Sequence, residues 1–525
     1  MQIFSVNIET AEVKPVLAIA GVRAGVIDLL IEIPDEIIIS SNERNREVFD
    51  PYRVNLKTGE IKILAENPGD IVGWMTDHDG KLRIATASDG VNQRILYRTT
   101  EDQEFRELMN ISFKDSFDPE IFTFDNRNLY VSSNLGRDKS EIVLYDPEQN
   151  KEIEVIFKND QVDAGGLMYS RKRKVITAAY YTTDKMHREF FDEQTRKIFE
   201  SIQKELPEYE ITISSQNKQE DLFVVRASGD RLPASYYLYD LNSTKLTFIQ
   251  NVAPWLKEEH MAVMKPVQYL SRDGLTIHGY LTLPKGLKAK NLPVVINPHG
   301  GPWARDEWGF SPEVQFLANR GYAVLQMNFR GSTGYGKKFL EASFKEWGRK
   351  MQDDITDGVQ WLIKEGIADP SRVAIYGASY GGYATLAGLT LTPELYCCGV
   401  DYVGVSNMFT FMKTIPPYWK PLLDMFYEMV GNPVKDSLLL AEVSPVLLVD
   451  KIKAPLFIAQ GARDPRVNKA ESDQMVEALK ARGIDVEYMV KDNEGHGFYN
   501  QDNQFDFYRA MIDFLDKHMK MKREE

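Results

Sequence analysis

Gly377-Ala378-Ser379-Tyr380-Gly381-Gly382 sets a serine among glycines, directly after the apolar run Val373-Ala374-Ile375-Tyr376 and before the helix-like stretch 383–389. This is the pattern of a nucleophile elbow. The glycines let a strand turn sharply into a helix without Cβ clashes, and the serine hydroxyl stands exposed at the helix N-terminus. The bare G-x-S-x-G spacing arises by chance about 0.1 times in a chain of this make-up, so the strand–turn–helix setting carries the reading against an ordinary glycine-rich turn. A serine hydroxyl is a poor nucleophile near neutral pH and needs a base, normally a histidine held by a carboxylate.

Where this turn is used, the chain order is serine, acid, histidine. Of the 7 histidines only His496 and His518 follow Ser379. His518 sits in the basic run Lys517-His518-Met519-Lys520, which reads as a solvated helix end. His496 lies in Asn493-Glu494-Gly495-His496-Gly497-Phe498, a loop just past the apolar stretch 486–489, and is the expected base. The acid should leave an earlier strand. The stretch 456–459 runs into Gln460-Gly461-Ala462-Arg463-Asp464-Pro465-Arg466-Val467, so Asp464 is expected, with surface pairing to Arg463 or Arg466 its competing role and Glu494 the reserve.

Charge developing on a carbonyl oxygen needs preset donors, one from the residue after the nucleophile and one from the loop after an earlier strand. Tyr380 supplies the first, and Asn297-Pro298-His299-Gly300-Gly301-Pro302 should supply the second. His299 reads as a residue that shapes this loop rather than as a base. Tyr402, Val403, Tyr418 and Trp419, on and after the strand that follows the nucleophile helix, are candidates for an apolar substrate-binding wall, although aromatic residues there serve as core equally well.

From about residue 266 these motifs sit in a grammar of near-continuous apolar strands (293–296, 322–325, 373–376, 456–459, 486–489) alternating with helical patterns such as 354–364. That grammar makes a mostly parallel sheet with helices on both faces and with its site at the carboxyl ends of the strands. The first half differs. Apolar strand endings followed by polar turns recur with Asn7, Asn55, Thr99, Asp146, Asp192 and Asp240 as markers, at gaps of 48, 44, 47, 46 and 48 residues. Between the markers run short strand-like pieces, and strand repeats of that length are propeller blades of about four strands each. The first marker lies close to Met1, so the chain is expected to enter within a blade, leaving about five whole blades and a partial one, with N-terminal sequence missing or a ring of unusual size. The expected domains are a β-propeller over 1–255 and a catalytic domain over 263–525.

Across 525 residues, 43% are apolar and 27% charged, which fits a globular chain of two or three domains and excludes disordered and collagen-like classes. A net charge of −14 repels phosphate backbones, so nucleic acid is not an expected partner. No stretch reaches the length of a membrane helix and the start lacks the build of a signal peptide, so a soluble, cytoplasmic protein without a membrane partner is expected. The 2 cysteines, Cys397 and Cys398, are neighbours; they read as buried apolar thiols in a reducing compartment, and neither a metal nor a cofactor is expected.

With Ser379, Asp464, His496, the loop His299-Gly300-Gly301-Pro302 and the segment Asn328-Phe329-Arg330-Gly331-Ser332-Thr333-Gly334-Tyr335-Gly336, the chain resembles the prolyl oligopeptidase family of serine peptidases, and within it the acylaminoacyl-peptidase branch. The resemblance covers essentially the whole chain and implies a β-propeller followed by an α/β-hydrolase domain. Matched by motif, it puts the nucleophile on Ser379, the acid on Asp464, the base on His496 and the oxyanion donors on Tyr380 and Gly301. Two features depart from the family: the blade count falls short of the common value of about seven, and the acidic pair with which dipeptidyl-peptidase relatives grip a free amino terminus is not found. The expected function is hydrolysis of short peptides through an acyl-enzyme, with the propeller as a size filter, endo or exo action open, and homo-oligomerisation open. The alternatives are a carboxylesterase with the same triad and an inactive propeller-based binding module.

Overall fold

The structure, a computed structural model, describes residues 2–484 and 486–519. The outermost positions of the expected domains, 1 and 520–525, lie outside the described residues, as does Lys520 of the terminal basic run.

The chain divides into two compact units, Met1–Asp160 and Gln161–Glu525. The first opens with a two-stranded sheet, β1 (Ile3–Val6) and β2 (Val13–Leu17). Three four-stranded antiparallel meanders follow: β3–β6 (Ala24–Asp28, Glu36–Ser41, Asp50–Asn55, Ile61–Ile63), β7–β10 (Ile71–Thr76, Leu82–Ser88, Gln93–Tyr97, Arg106–Ile111) and β11–β14 (Phe117–Phe122, Leu129–Ser133, Glu141–Asp146, Lys151–Phe157). Ile84, Ile95 and Tyr97 of one meander share a core with Phe117, Leu129 and Val143 of the next. The repeat markers are the turns between the last two strands of a meander. Asn55 Oδ1 accepts from the Lys57 and Thr58 amides at 3.0 and 2.9 Å, and Asp146 Oδ1 from those of Glu148 and Gln149 at 2.9 Å each, an Asx geometry that reverses the chain.

The second unit begins with two more sheets of the same kind. The first has three strands, β15 (Ala164–Ser170), β16 (Val175–Thr182) and β17 (Met186–Phe190); the second has four, β18 (Glu210–Gln216), β19 (Leu222–Ser228), β20 (Ser235–Asp240) and β21 (Lys245–Asn251). At the marker Asp192 the repeat departs from the four-strand expectation, because a helix, α1 (Glu193–Glu205), takes the place of a fourth strand. Asp192 caps it, its Oδ2 accepting from the Thr195 amide at 2.8 Å, and the apolar residues Ile198, Phe199 and Ile202 recur at helical spacing and pack on Phe223, Val225 and Tyr239.

After residue 263 the chain forms one eight-stranded sheet in the order β22-β23-β25-β24-β26-β27-β28-β29, with ranges Met264–Leu270, Thr276–Thr282, Leu292–Ile296, Ala323–Asn328, Ala368–Ala378, Cys398–Tyr402, Leu456–Gly461 and Val486–Lys491 from β22 to β29. β22, β23 and β25 pair antiparallel, and every pairing from β25 to β29 is parallel. α2 (Pro312–Asn319) and the long helix Gln501–His518 cover the face presenting Val295, Val324, Ala374, Val400 and Phe457. After the short helix α3 (Lys337–Glu341), the opposite face carries α4 (Lys350–Lys364) and α5 (Tyr380–Leu391): a methyl at Gly358 of α4 would touch Leu325 at 3.2 Å, and one at Gly388 of α5 would touch Ile375 at 3.3 Å. The architecture is thus a propeller-type series of antiparallel blades followed by an α/β-hydrolase sheet. Among the described residues no helix is long and apolar enough to cross a membrane.

The helix that replaces a strand is held by its apolar face, since a short isolated helix is marginal in water. Ile202→Ala should therefore destabilise the second unit by about 2–5 kcal/mol, and Lys204→Ala on the exposed face by no more than about 0.5 kcal/mol. Urea titration followed by fluorescence reads both, and equal effects would contradict the assignment of the faces.

Candidate active site

Every residue singled out for chemistry stands at the carboxyl end of the parallel strands. β26 ends at Ala378 and α5 starts at Tyr380, with Ser379 between them at φ 59° and ψ −115°. A side chain in that left-handed region is strained and persists only where the surroundings enforce it. They do so by close approach. A Cβ at Gly377 would stand 2.5 Å from the Gly381 carbonyl, and one at Gly381 would run into the Pro298 carbonyl oxygen. The Ser379 amide donates to the Tyr402 carbonyl at 2.9 Å, and the Ser379 carbonyl accepts from the Tyr383 amide at 3.0 Å as the first turn of α5 closes.

The loop 297–302 leaves β24 next door. A methyl at Gly300 would lie 3.5 Å from Ser379 Cβ, so the loop passes directly over the serine, and Gly301 follows at φ 123°. His299 stacks on Phe329 at 4.4 Å; its Nδ1 lies 2.8 Å from the Gly300 carbonyl oxygen and its Nε2 3.0 Å from Ser332 Oγ. Burial pushes its pKa down to about 4, so the ring is neutral at pH 7; assigning the proton to Nδ1 satisfies the carbonyl and leaves Nε2 to face the hydroxyl. This histidine braces the loop.

Asp464 and His496 meet across two loops, with Asp464 Oδ2 2.7 Å from His496 Nδ1. The carboxylate is oriented from below. Its Oδ1 accepts from the amides of Arg466 and Val467 at 2.8 and 2.9 Å, and Gln460 Nε2, 3.3 Å from Oδ2, is fixed in turn because its Oε1 accepts from Ser472 at 2.9 Å. With Nδ1–H given to Asp464, His496 presents Nε2 as the free acceptor, the tautomer a general base requires. Glu494, the reserve acid, does other work: it accepts from the amides of Tyr499 and Asn500 at 2.9 Å each and from Asn503, folding the loop that carries His496. Burial raises the pKa of Glu494, but those donors outweigh it and the net shift is downward.

Tyr402 joins the two halves of the site. Its carbonyl holds the Ser379 amide, while its hydroxyl accepts from the Phe498 amide two residues past His496, and its ring stacks on Phe507 at 4.4 Å. Val403 is 2% exposed and its amide donates to Ala459 at 2.9 Å, so its side chain offers no surface to a substrate. Of the expected apolar wall, then, Val403 is interior, while Tyr402 is half-buried and packs partly against the core. Tyr418 and Trp419 lie on the 3-10 turn Pro417–Leu422, where Trp419 stacks on Phe426 at 5.8 Å. From Phe426 the ring contacts continue, tilted or edge-on, through residues the sequence reading passed over. Phe426 meets Trp303 at 5.8 Å, Trp303 meets Trp347 at 6.5 Å, and Trp347 meets Tyr380 at 4.6 Å. The one signal for Trp303 was its position two residues after Gly301. Among the described residues no group of three or more His, Cys, Asp or Glu side chains is arranged to hold a metal ion.

A family model described as the prolyl oligopeptidase family matches residues 308–522. A dipeptidyl aminopeptidase BIII of Pseudoxanthomonas mexicana is 35% identical over 524 residues, covering 98% of this chain and 76% of that protein. The chain belongs to the prolyl oligopeptidase family. An acylamino-acid-releasing enzyme of Arabidopsis thaliana is 28% identical over 238 residues, covering 44% of this chain and 30% of its own. A puromycin-hydrolyzing peptidase of Mycobacterium tuberculosis shares the fold with a TM-score of 0.78 at 19% identity, covering 99% of this chain and 82% of that one. The chain is a serine-type peptidase, a hydrolase of the prolyl oligopeptidase family.

Directly behind the elbow of this peptidase lies Asp401, in register with Gly377 and fully buried. Gly382 of α5 and Gly404 close over it, and neither oxygen completes a hydrogen bond, the Gly404 amide approaching without the geometry of one. Burial, with a smaller push from Glu471, raises its pKa from 3.8 to about 7. The folded state therefore holds a proton that the unfolded chain has lost. This favours folding fully below pH 3.8 and is lost as the pH climbs through about 7. Asp401→Asn carries no such proton, so its thermal midpoint should rise relative to wild type between about pH 5 and pH 8. A midpoint difference that stays constant over that range would overturn the assignment.

Proposed function

We propose that this peptidase cleaves short peptides through a Ser379–His496–Asp464 triad and an acyl-enzyme. The observation that carries the reading is the 2.7 Å Asp464–His496 hydrogen bond, on loops that Tyr402 ties to the elbow of Ser379. In this mechanism Ser379 Oγ attacks the scissile carbonyl while its proton passes to His496 Nε2, Asp464 holding the ring and stabilising the imidazolium. The amides of Tyr380 and Gly301 receive the oxyanion. As the C–N bond breaks, His496 returns the proton to the leaving amine; water then attacks the ester by the same route and frees Ser379.

Cleavage near a free amino terminus, releasing dipeptides, is the favoured mode, because the dipeptidyl aminopeptidase of P. mexicana matches 98% of this chain and the acylamino-acid-releasing enzyme 44%. The experiment is a digest of one peptide set with free and with acetylated amino termini, read by mass spectrometry, alongside a p-nitrophenyl ester. Dipeptide products from the free set alone support the reading; turnover of the acetylated set moves the enzyme to the acylaminoacyl class, and turnover of the ester alone makes it an esterase.

Ser379→Ala should lower kcat on the order of a million-fold, and His496→Ala by about as much, since the two act as a unit. Asp464→Asn should lose about ten-thousand-fold. Steady-state kinetics on folded protein checks all three, and a Ser379→Ala variant within about tenfold of wild type would remove Ser379 from its role.

A further inference from the structure

The loop that brings Gly300 beside Ser379 and continues through Gly301 is anchored at its far side by a residue outside the triad. Arg305, four positions beyond Gly301, reaches the hairpin between β16 and β17. Its Nη1 lies 3.4 Å from the Thr182 carbonyl oxygen and its Nη2 3.2 Å from that of Thr183, while the guanidinium also donates to the Tyr335 hydroxyl at 3.0 Å and lies over the Tyr335 ring at 4.5 Å. Space for it is left by Gly334, at φ 85°, where a Cβ would stand 2.5 Å from Nη1.

The backbone on either side of Arg305 is locked to the sheet. The Thr333 amide donates to the Ala304 carbonyl at 2.9 Å, and the Asn328 side chain accepts from the Asp306 amide at 2.7 Å and donates to its carbonyl at 3.0 Å. From residue 304 to 306 the loop thus has one seat, and the donor at Gly301 hangs from it. These donors face backbone carbonyls and a tyrosine, so they are not presented to a substrate carboxylate. Stability alone is a poor account of the seat, because Arg305 Nε is buried without a protein partner, which is unfavourable.

We propose that Arg305 is a positioning residue: by seating the loop on the β16–β17 hairpin it sets where the Gly301 amide stands relative to Ser379. The proposal rests on the oxyanion role given to Gly301 above. It makes the blade hairpin part of the catalytic apparatus rather than only a screen. A donor moved by about 1 Å forfeits rate without changing ground-state binding, because the oxyanion exists only in the transition state.

The test uses the whole chain with Arg305→Met, which keeps most of the side-chain volume, and Arg305→Lys, which keeps the charge but not the two-pronged donor. For Arg305→Met we expect kcat about thirtyfold lower with KM within about threefold, the rate of fluorophosphonate labelling of Ser379 falling in parallel, and Arg305→Lys in between. All rates are taken per folded molecule, measured by circular dichroism. A kcat of Arg305→Met within about threefold of wild type, or a rise in KM alone, overturns the proposal. If Arg305→Met does not fold, an Arg305→Lys variant with wild-type kcat and labelling rate overturns it equally. Failure of the wild type itself to label at Ser379 would instead sink the triad reading, so the two failures are told apart.

Discussion

Ser379 holds a backbone conformation that a non-glycine residue keeps only under compulsion, and the rest of the site is organised around that compulsion. Strain of this kind amounts to about 1–3 kcal/mol. It is held by contacts from three directions: the Tyr402 carbonyl on the Ser379 amide, the Pro298 carbonyl against Gly381, and the Gly381 backbone against Gly377. Each arises from a different strand end, β27, β24 and β26. The elbow is therefore a property of the assembled sheet, and the hydroxyl it presents stands where the loops from those strands converge.

Hydrogen-bond supply separates the carboxyls around the elbow. Asp464 is surrounded by donors, two amides, a glutamine and the His496 ring, all aimed to fix its orientation. Asp401 is sealed under glycines with no well-formed hydrogen bond, the Gly404 amide only approaching it, and burial makes it a weak acid. Asp354 lies between these extremes. Burial raises its pKa to about 6, yet Arg330 reaches it through Nε at 2.8 Å and Nη2 at 2.7 Å while also holding Asp273, so the loop 328–336 is bolted to α4 and to the β22–β23 turn. Buried charge here fixes loop geometry, a use that does not require the pairs to add stability.

The second compact unit contains two blade-like sheets as well as the α/β-hydrolase sheet, and the contacts of Arg305, together with the cation of Lys185 over Trp308 at 3.6 Å and the Tyr280 hydroxyl on the Asp184 carbonyl at 2.9 Å, give a physical reason. The β16–β17 hairpin is built into the loop that flanks Ser379. A propeller-type blade in this family member does structural duty for the hydrolase sheet next to it.

Much of this was legible in the sequence because it is local. The elbow follows from a strand, glycines and a helix contiguous in the chain; the choice of His496 and Asp464 as the proposed base and acid follows from chain order and from the strands that precede them; the blades follow from turn residues that bond to their own neighbours. The helix α1 was missed because the marker turns were read ahead of the 3.6-residue period of Ile198, Phe199 and Ile202. What remained hidden depends on partners far apart in the chain. Nothing in the neighbourhood of Tyr402 foretells that its hydroxyl meets the amide of Phe498; the burial of Asp401 arises only when Gly382 and Gly404 close over it; Trp303 and Trp347 meet only once their loops are folded; and the carbonyls that seat Arg305 lie more than a hundred residues upstream. Sequence alone determined the residue types and the order in which they meet the strands, because hydrophobic period and turn chemistry act between near neighbours. Only the tertiary structure decided which of them touch, because close packing between strand ends is set by the whole sheet.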